Sequence, residues 1–185
     1  MITTLRPTGN GFYSQLTVFG DTPGWKCVDD ITTDDDSTYL YNTTFDKSSV
    51  KWFEPFTDTD CTIASVTLYV RGKAVSRPSN IGEVQIVVYQ SIPGGGFFSN
   101  YLGVPTSVLF NITDYSTLSA KSYNNPLDGL PWTTSGINAM QFGVTNLGYP
   151  TGQTRITQMY LEVNCIIKMH TTKKIKIQSG YKVNL

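Results

Sequence analysis

Polar and apolar residues alternate with a period of two over much of this chain, the pattern of extended strands with one covered face. Phe12, Ser14, Leu16 and Val18 share one side of such a segment, with Tyr13, Gln15 and Thr17 opposite. A turn over residues 20–24 leads to a short strand at Trp25, Lys26, Cys27 and Val28, and an acid-rich loop over residues 29–36 separates it from another at residues 37–41. Ser48, Val50 and Trp52 continue the pattern. Ala64, Val66, Leu68 and Val70 form the clearest inward face of the first half, and Arg71-Gly72-Lys73 turns that strand outward. Val84, Ile86 and Val88 mark the next strand, which ends at a Pro-Gly-Gly-Gly corner suited only to permissive backbone. Residues 102–112 supply a further strand, with Pro105 placing its first part at an edge. After a loop over residues 124–131, Trp132 to Ile137 reads as a helical turn capped by a hydroxyl. Met140, Phe142 and Val144, and later Met159, Leu161, Val163 and Cys165, define two central antiparallel strands.

About eight short strands separated by turn signals, with no strand–helix–strand alternation, predict an all-β antiparallel two-sheet sandwich of jelly-roll type. Composition agrees: 25 Thr against 4 Ala and 3 Glu favours the pleated surface over the helix. The sandwich is expected to occupy residues 1–167. Residues 168–185 carry five lysines and no acid, and Ile175 and Ile177 alternate there with Lys174 and Lys176. They read as a C-terminal extension, an assembly arm around Lys173, Lys174, Ile175, Lys176 and Ile177 that adds a strand to a neighbour's sheet edge or lies on an acidic surface. A last edge strand or a frayed tail is the alternative.

Lys+Arg and Asp+Glu both number 14, which argues against a nucleic-acid partner. The charge is unevenly placed, with residues 1–60 at net −6 and residues 61–185 at net +6. That asymmetry suits head-to-tail contacts between copies, or else simply charges wherever loops are exposed. No apolar run approaches a membrane span, and the start lacks a secretory signal, so the expectation is a soluble protein made in a cytoplasm, with no membrane partner. Cys27, Cys61 and Cys165 are odd in number and widely spaced, and read as reduced thiols, Cys165 as a core filler.

Catalysis is not expected. The one histidine, His170, sits beside the basic tail, and no nucleophile, base and orienting group are singled out together. The acidic loop is the most metal-like feature, with Asp34, Asp35 and Asp36 as weak candidates for a structural calcium; solvated turn carboxylates are the alternative, and no other cofactor is expected. Trp25, Trp52 and Trp132 lie near strand ends, where a β-sandwich presents aromatic planes to sugars, although core packing of such rings is the commoner arrangement.

Two stretches resemble a broad group of tailed-virus structural proteins. Leu5-Arg6-Pro7-Thr8-Gly9, followed by Trp25, Val28-Asp29-Asp30 and Asp34-Asp35-Asp36-Ser37-Thr38-Tyr39, is similar to the opening of that group. Pro131-Trp132-Thr133, Ile137 to Val144 and Arg155 to Val163 are similar to its ending. The resemblance implies a jelly-roll virion component of capsid surface, tail or fibre type, assembled with copies of itself and with a major capsid or tail protein, and carrying no catalytic residue. The runner-up reading is a lectin-like module that attaches to host-surface glycan. The Lys-rich ending departs from the group.

Overall fold

The computed structural model describes residues 1–42, 46–75, 82–92, 96–103, 108–110, 114–146 and 153–168. The twelve strands among them are β1 (Ile2–Leu5), β2 (Pro7–Ser14), β3 (Thr17–Phe19), β4 (Tyr39–Asn42), β5 (Lys47–Phe53), β6 (Cys61–Val75), β7 (Gly82–Ile92), β8 (Gly96–Tyr101), β9 (Val108–Phe110), β10 (Ser116–Ser122), β11 (Met140–Asn146) and β12 (Gln153–Ile167). They form two six-stranded sheets, one ordered β10-β6-β12-β4-β3 with β1 on β12, the other β2-β5-β11-β7-β8 with β9 on β7. All pairing is antiparallel. From β4 to β7 and again from β10 to β12, successive strands alternate between the sheets, the crossing pattern of a jelly-roll sandwich. No helix among the described residues is long and apolar enough to cross a membrane.

The alternation places the core where expected. Val66, Leu68 and Val70 of β6 and Met159, Leu161 and Val163 of β12 are fully buried and pair across the strands. They belong to one buried cluster with Val84, Val88, Phe142 and Val144 from the other sheet. Each such side chain contributes roughly 1.5–3 kcal/mol through burial. The capped turn is present as α1 (Thr134–Asn138), whose N-cap Thr133 accepts a hydrogen bond from the Gly136 amide at 2.9 Å.

Several local expectations are corrected. Residues 24–27 form a 3-10 helix rather than a strand, closed by the Lys26 amide on the Pro23 carbonyl and the Val28 amide on the Trp25 carbonyl; four residues are too few for periodicity to decide. A β-bulge skips Ala64, so Ile63 rather than Ala64 is buried opposite Cys165. Arg71-Gly72-Lys73 does not turn: β6 runs on to Val75, and a Cβ at Gly72 would strike the Phe110 ring and the Arg155 carbonyl. Close packing at the sheet centre, not a bend, calls for glycine there.

The thiol reading is also corrected. Cys61 and Cys165 are disulfide-bonded, 104 residues apart in sequence, while Cys27 is free and buried. The long β6–β12 pairing brings together cysteines whose spacing gave no hint of partnership. Cys165 does fill the core, 2% exposed.

β5 shows the largest departure from simple patterning. Ser49 and Lys51 face the interior, opposite Val144 and Phe142 of β11, whereas Val50 opposes Gly143 on the outer face. The cause lies in β2. Between Asn10 and Ser14 its register shifts against β5, so residues 11–13 bulge over the outer face and seal Val50, which is 0% exposed. A Cβ at Gly11 would collide with the Gln141 side chain and the Val50 carbonyl. Lys51 is likewise 0% exposed, and its Nζ donates to Asn10 Oδ1 at 2.9 Å. Burial pulls its pKa down to about 8.

Candidate functional site

The outer face of the β7–β11 sheet carries the main candidate site. Strand alternation puts Gln85, Val87 and Tyr89 of β7 on this face, and the register aligns them with Thr145, Gly143 and Gln141 of β11. On the other side of β7, Tyr101 lies opposite Val87 and Ser99 opposite Tyr89. Ser48 of β5 completes the Gln85–Thr145 row, its hydroxyl 2.9 Å from that of Thr145. These residues apart from Gln141 and Gly143, together with Asp46 and Asn100, line a depression of about 350 Å³.

The β2 bulge packs an aromatic cluster beside the depression, against its lining residue Tyr89. Gln141 is buried and accepts the Phe12 amide through Oε1 at 2.5 Å, which pins the bulge to the sheet. The Phe12 ring stacks on Phe97 at 3.7 Å between centroids, and Tyr13 packs on Tyr89 at 5.1 Å. Phe12 stays 58% exposed and Tyr101 37% exposed, so both keep open ring surface. Among the described residues lining the depression, Asp46 is the one charged side chain. The floor otherwise offers hydroxyls and an amide.

The tryptophans expected to form a sugar platform are not brought together. Trp132 is 4% exposed, packs near Phe142 and donates Nε1–H to the Ser122 carbonyl at 3.1 Å. It is a core residue, because its ring fills the sandwich end beneath α1 and its one polar atom is satisfied. Trp25 sits half-buried in the 3-10 helix with the Lys26 ammonium 5.9 Å from its ring. Trp52 is half-buried beside Gly9, outside the depression. Sequence reasoning missed the bulge that sets Phe12 on Phe97 because it assigned Phe12 to a regular strand; the Gly9-Asn10-Gly11 stretch before it was the available signal.

The acidic loop has another task. Asp35 takes both a 2.8 Å bond from Arg71 Nε and one from its Nη2, and Asp36 binds Lys73 at 2.9 Å, Arg155 at 2.6 Å and the Tyr115 hydroxyl at 2.8 Å. Hydrogen bonds from Lys73, then Tyr115 and Arg155, hold the Asp36 carboxyl at about 2. Asp34 accepts the Thr38 hydroxyl at 2.8 Å. These carboxylates clamp the loop to β6 and β12, and no group of three or more candidate ligands among the described residues is placed to hold a metal ion. The acids of the first part and the bases of the second thus meet within one chain. Lys173, Lys174, Ile175, Lys176 and Ile177, and His170, lie outside the described residues.

No family model matches this sequence, and no curated protein matches it. Solved structures of similar shape include the CBM22-1 xylan-binding domain from Paenibacillus barcinonensis Xyn10C, at 9% identity over 86% of this chain and 92% of that one, TM-score 0.44. The xylan-binding module CBM15 gives 11% identity over 88% and 96%, TM-score 0.45. The enzymatically active domain of Bacteriophage CBA120 tailspike protein 4 gives 14% over 88% and 19%, TM-score 0.39.

Proposed function

We propose that this protein binds a carbohydrate chain in the depression on the outer face of the β7–β11 sheet and acts by attachment rather than turnover. The observation that carries the reading is the pairing of aromatic rings, Tyr89 and the exposed Tyr101, with a floor of hydroxyl and amide groups from Ser48, Gln85 and Thr145. A sugar ring presents C–H groups on one face and hydroxyls at its rim. The negative face of an aromatic ring attracts the former, and short hydrogen-bonding side chains meet the latter. A depression lined mainly by hydroxyl and amide side chains suits a ligand as rich in hydroxyls as a sugar.

Calorimetric titration with soluble xylan, β-1,4-galactan, β-glucan and mannan tests this. Binding to one or more of them, lost in a Tyr101→Ala variant that keeps its melting temperature, supports the reading. Absence of binding to all of them, and to a broad glycan array, removes it.

A second reading follows from the resemblance of the motifs in residues 5–167 to tailed-virus structural proteins. In it the sandwich is a virion component that meets copies of itself and a capsid or tail protein, and residues 168–185 act as the tether. A fibre-type component would hold both roles. Incorporation of a chain truncated after Ile167 into particles at the normal level would count against the tether.

A further inference from the structure

Among the described residues of the proposed carbohydrate site, one side chain is charged. Asp46 immediately precedes β5 and has a φ of 56°, a left-handed conformation that Asp tolerates. Within β5, alternation from Ser48 sends Lys47 to the opposite face. Asp46 lines the depression and Lys47 does not. No other described lining residue is charged.

We infer that the depression selects uncharged glycans and excludes those bearing carboxylates, with Asp46 as the discriminating residue; this rests on the carbohydrate reading of the same site. The two oxygens of a carboxylate accept hydrogen bonds from neighbouring hydroxyls of one sugar ring. The same group repels a sugar carboxylate brought into the row, and the described lining residues offer no cation to offset that repulsion. Asn at this position keeps the left-handed backbone and a hydrogen-bonding oxygen but removes the charge.

The test compares matched polymers, unsubstituted xylan against glucuronoxylan and methyl-esterified polygalacturonate against polygalacturonate, with the wild-type chain and with Asp46→Asn, at low and high salt. The wild type is expected to bind a neutral member about fivefold to tenfold more tightly than its acidic partner at low salt, and the gap should narrow at high salt. Asp46→Asn should close the gap, read as the ratio of neutral to acidic affinity, because losing the charged acceptor also weakens binding of the neutral member. A gap that persists unchanged in Asp46→Asn, or a wild type that prefers the acidic member, overturns the inference and leaves the carbohydrate reading standing. Binding to none of the four polymers and to no array glycan overturns both.

Discussion

The ring of Phe12 stacks 3.7 Å from that of Phe97, tilted by 31°, and joins the β2 bulge to edge strand β8 across the width of the sheet. Through this contact and that of Tyr13 with Tyr89, a segment near the start of the chain is held beside the depression. Tyr101, which lines the depression, is 37% exposed and keeps ring surface open. Tyr101→Ala should therefore weaken glycan binding by about tenfold, as expected for loss of a sugar-facing ring, while costing little stability because the ring is not core. Calorimetric titration beside a thermal melt separates the two effects; a large drop in melting temperature with affinity intact would contradict this assignment.

The bulge itself depends on two neighbours that touch no ligand. Gln141→Ala leaves the covered Phe12 amide without its acceptor, and should cost about 1–3 kcal/mol in chemical denaturation. Gly11→Ala places a methyl group against Gln141 and the Val50 carbonyl, and should destabilise by a similar amount. Either variant at wild-type stability would show that the bulge is not held this way.

Lys51 gives the protein an alkaline signature. Its folded pKa of about 8 lies below the ordinary 10.5, so the unfolded chain binds more protons between those values and stability must rise with pH across that window. Cys27 opposes it, since burial raises its thiol from 9.0 to about 11 and stability from that source falls over that range. Comparison with Lys51→Met isolates the lysine. The stability of wild type relative to the variant should climb by up to about 3 kcal/mol from neutral pH to about pH 10.5. A flat difference would place the ammonium in water.

Asp36 acts at the other end of the scale. Its folded pKa of about 2 lies below the ordinary 3.8, so its contribution is present above about pH 4 and disappears as pH falls through that interval. Melting curves of wild type and Asp36→Asn should differ at about pH 6 and converge near pH 2, and high salt should shrink the difference because the pairs are solvent-facing. Equal melting temperatures at pH 6 would show that the clamp adds nothing.

The Cys61–Cys165 bond predicts a thiol count. Under non-reducing denaturation one thiol per chain, that of Cys27, should react with an alkylating reagent, and three after reduction. Because the bond closes a loop of 104 residues, its reduction should lower stability by about 2–4 kcal/mol. Three reactive thiols before reduction would show the cysteines unpaired.

The chain's own periodicity determined the all-β character, the central strands β11 and β12, and the core residues Leu68, Phe142 and Leu161, because alternation and turn residues are local properties. It did not determine which face of β5 is covered. Val50 and Lys51 exchange their expected environments once the bulge packs on the outer face, and that packing depends on residues distant in sequence. The pairing of Cys61 with Cys165, the Asp35–Arg71 and Asp36–Arg155 contacts, and the joining of Ser48, Tyr89, Tyr101 and Thr145 around one depression were likewise decided by tertiary structure. A strand's sequence states which positions alternate; only the elements that pack on each side decide what each face meets.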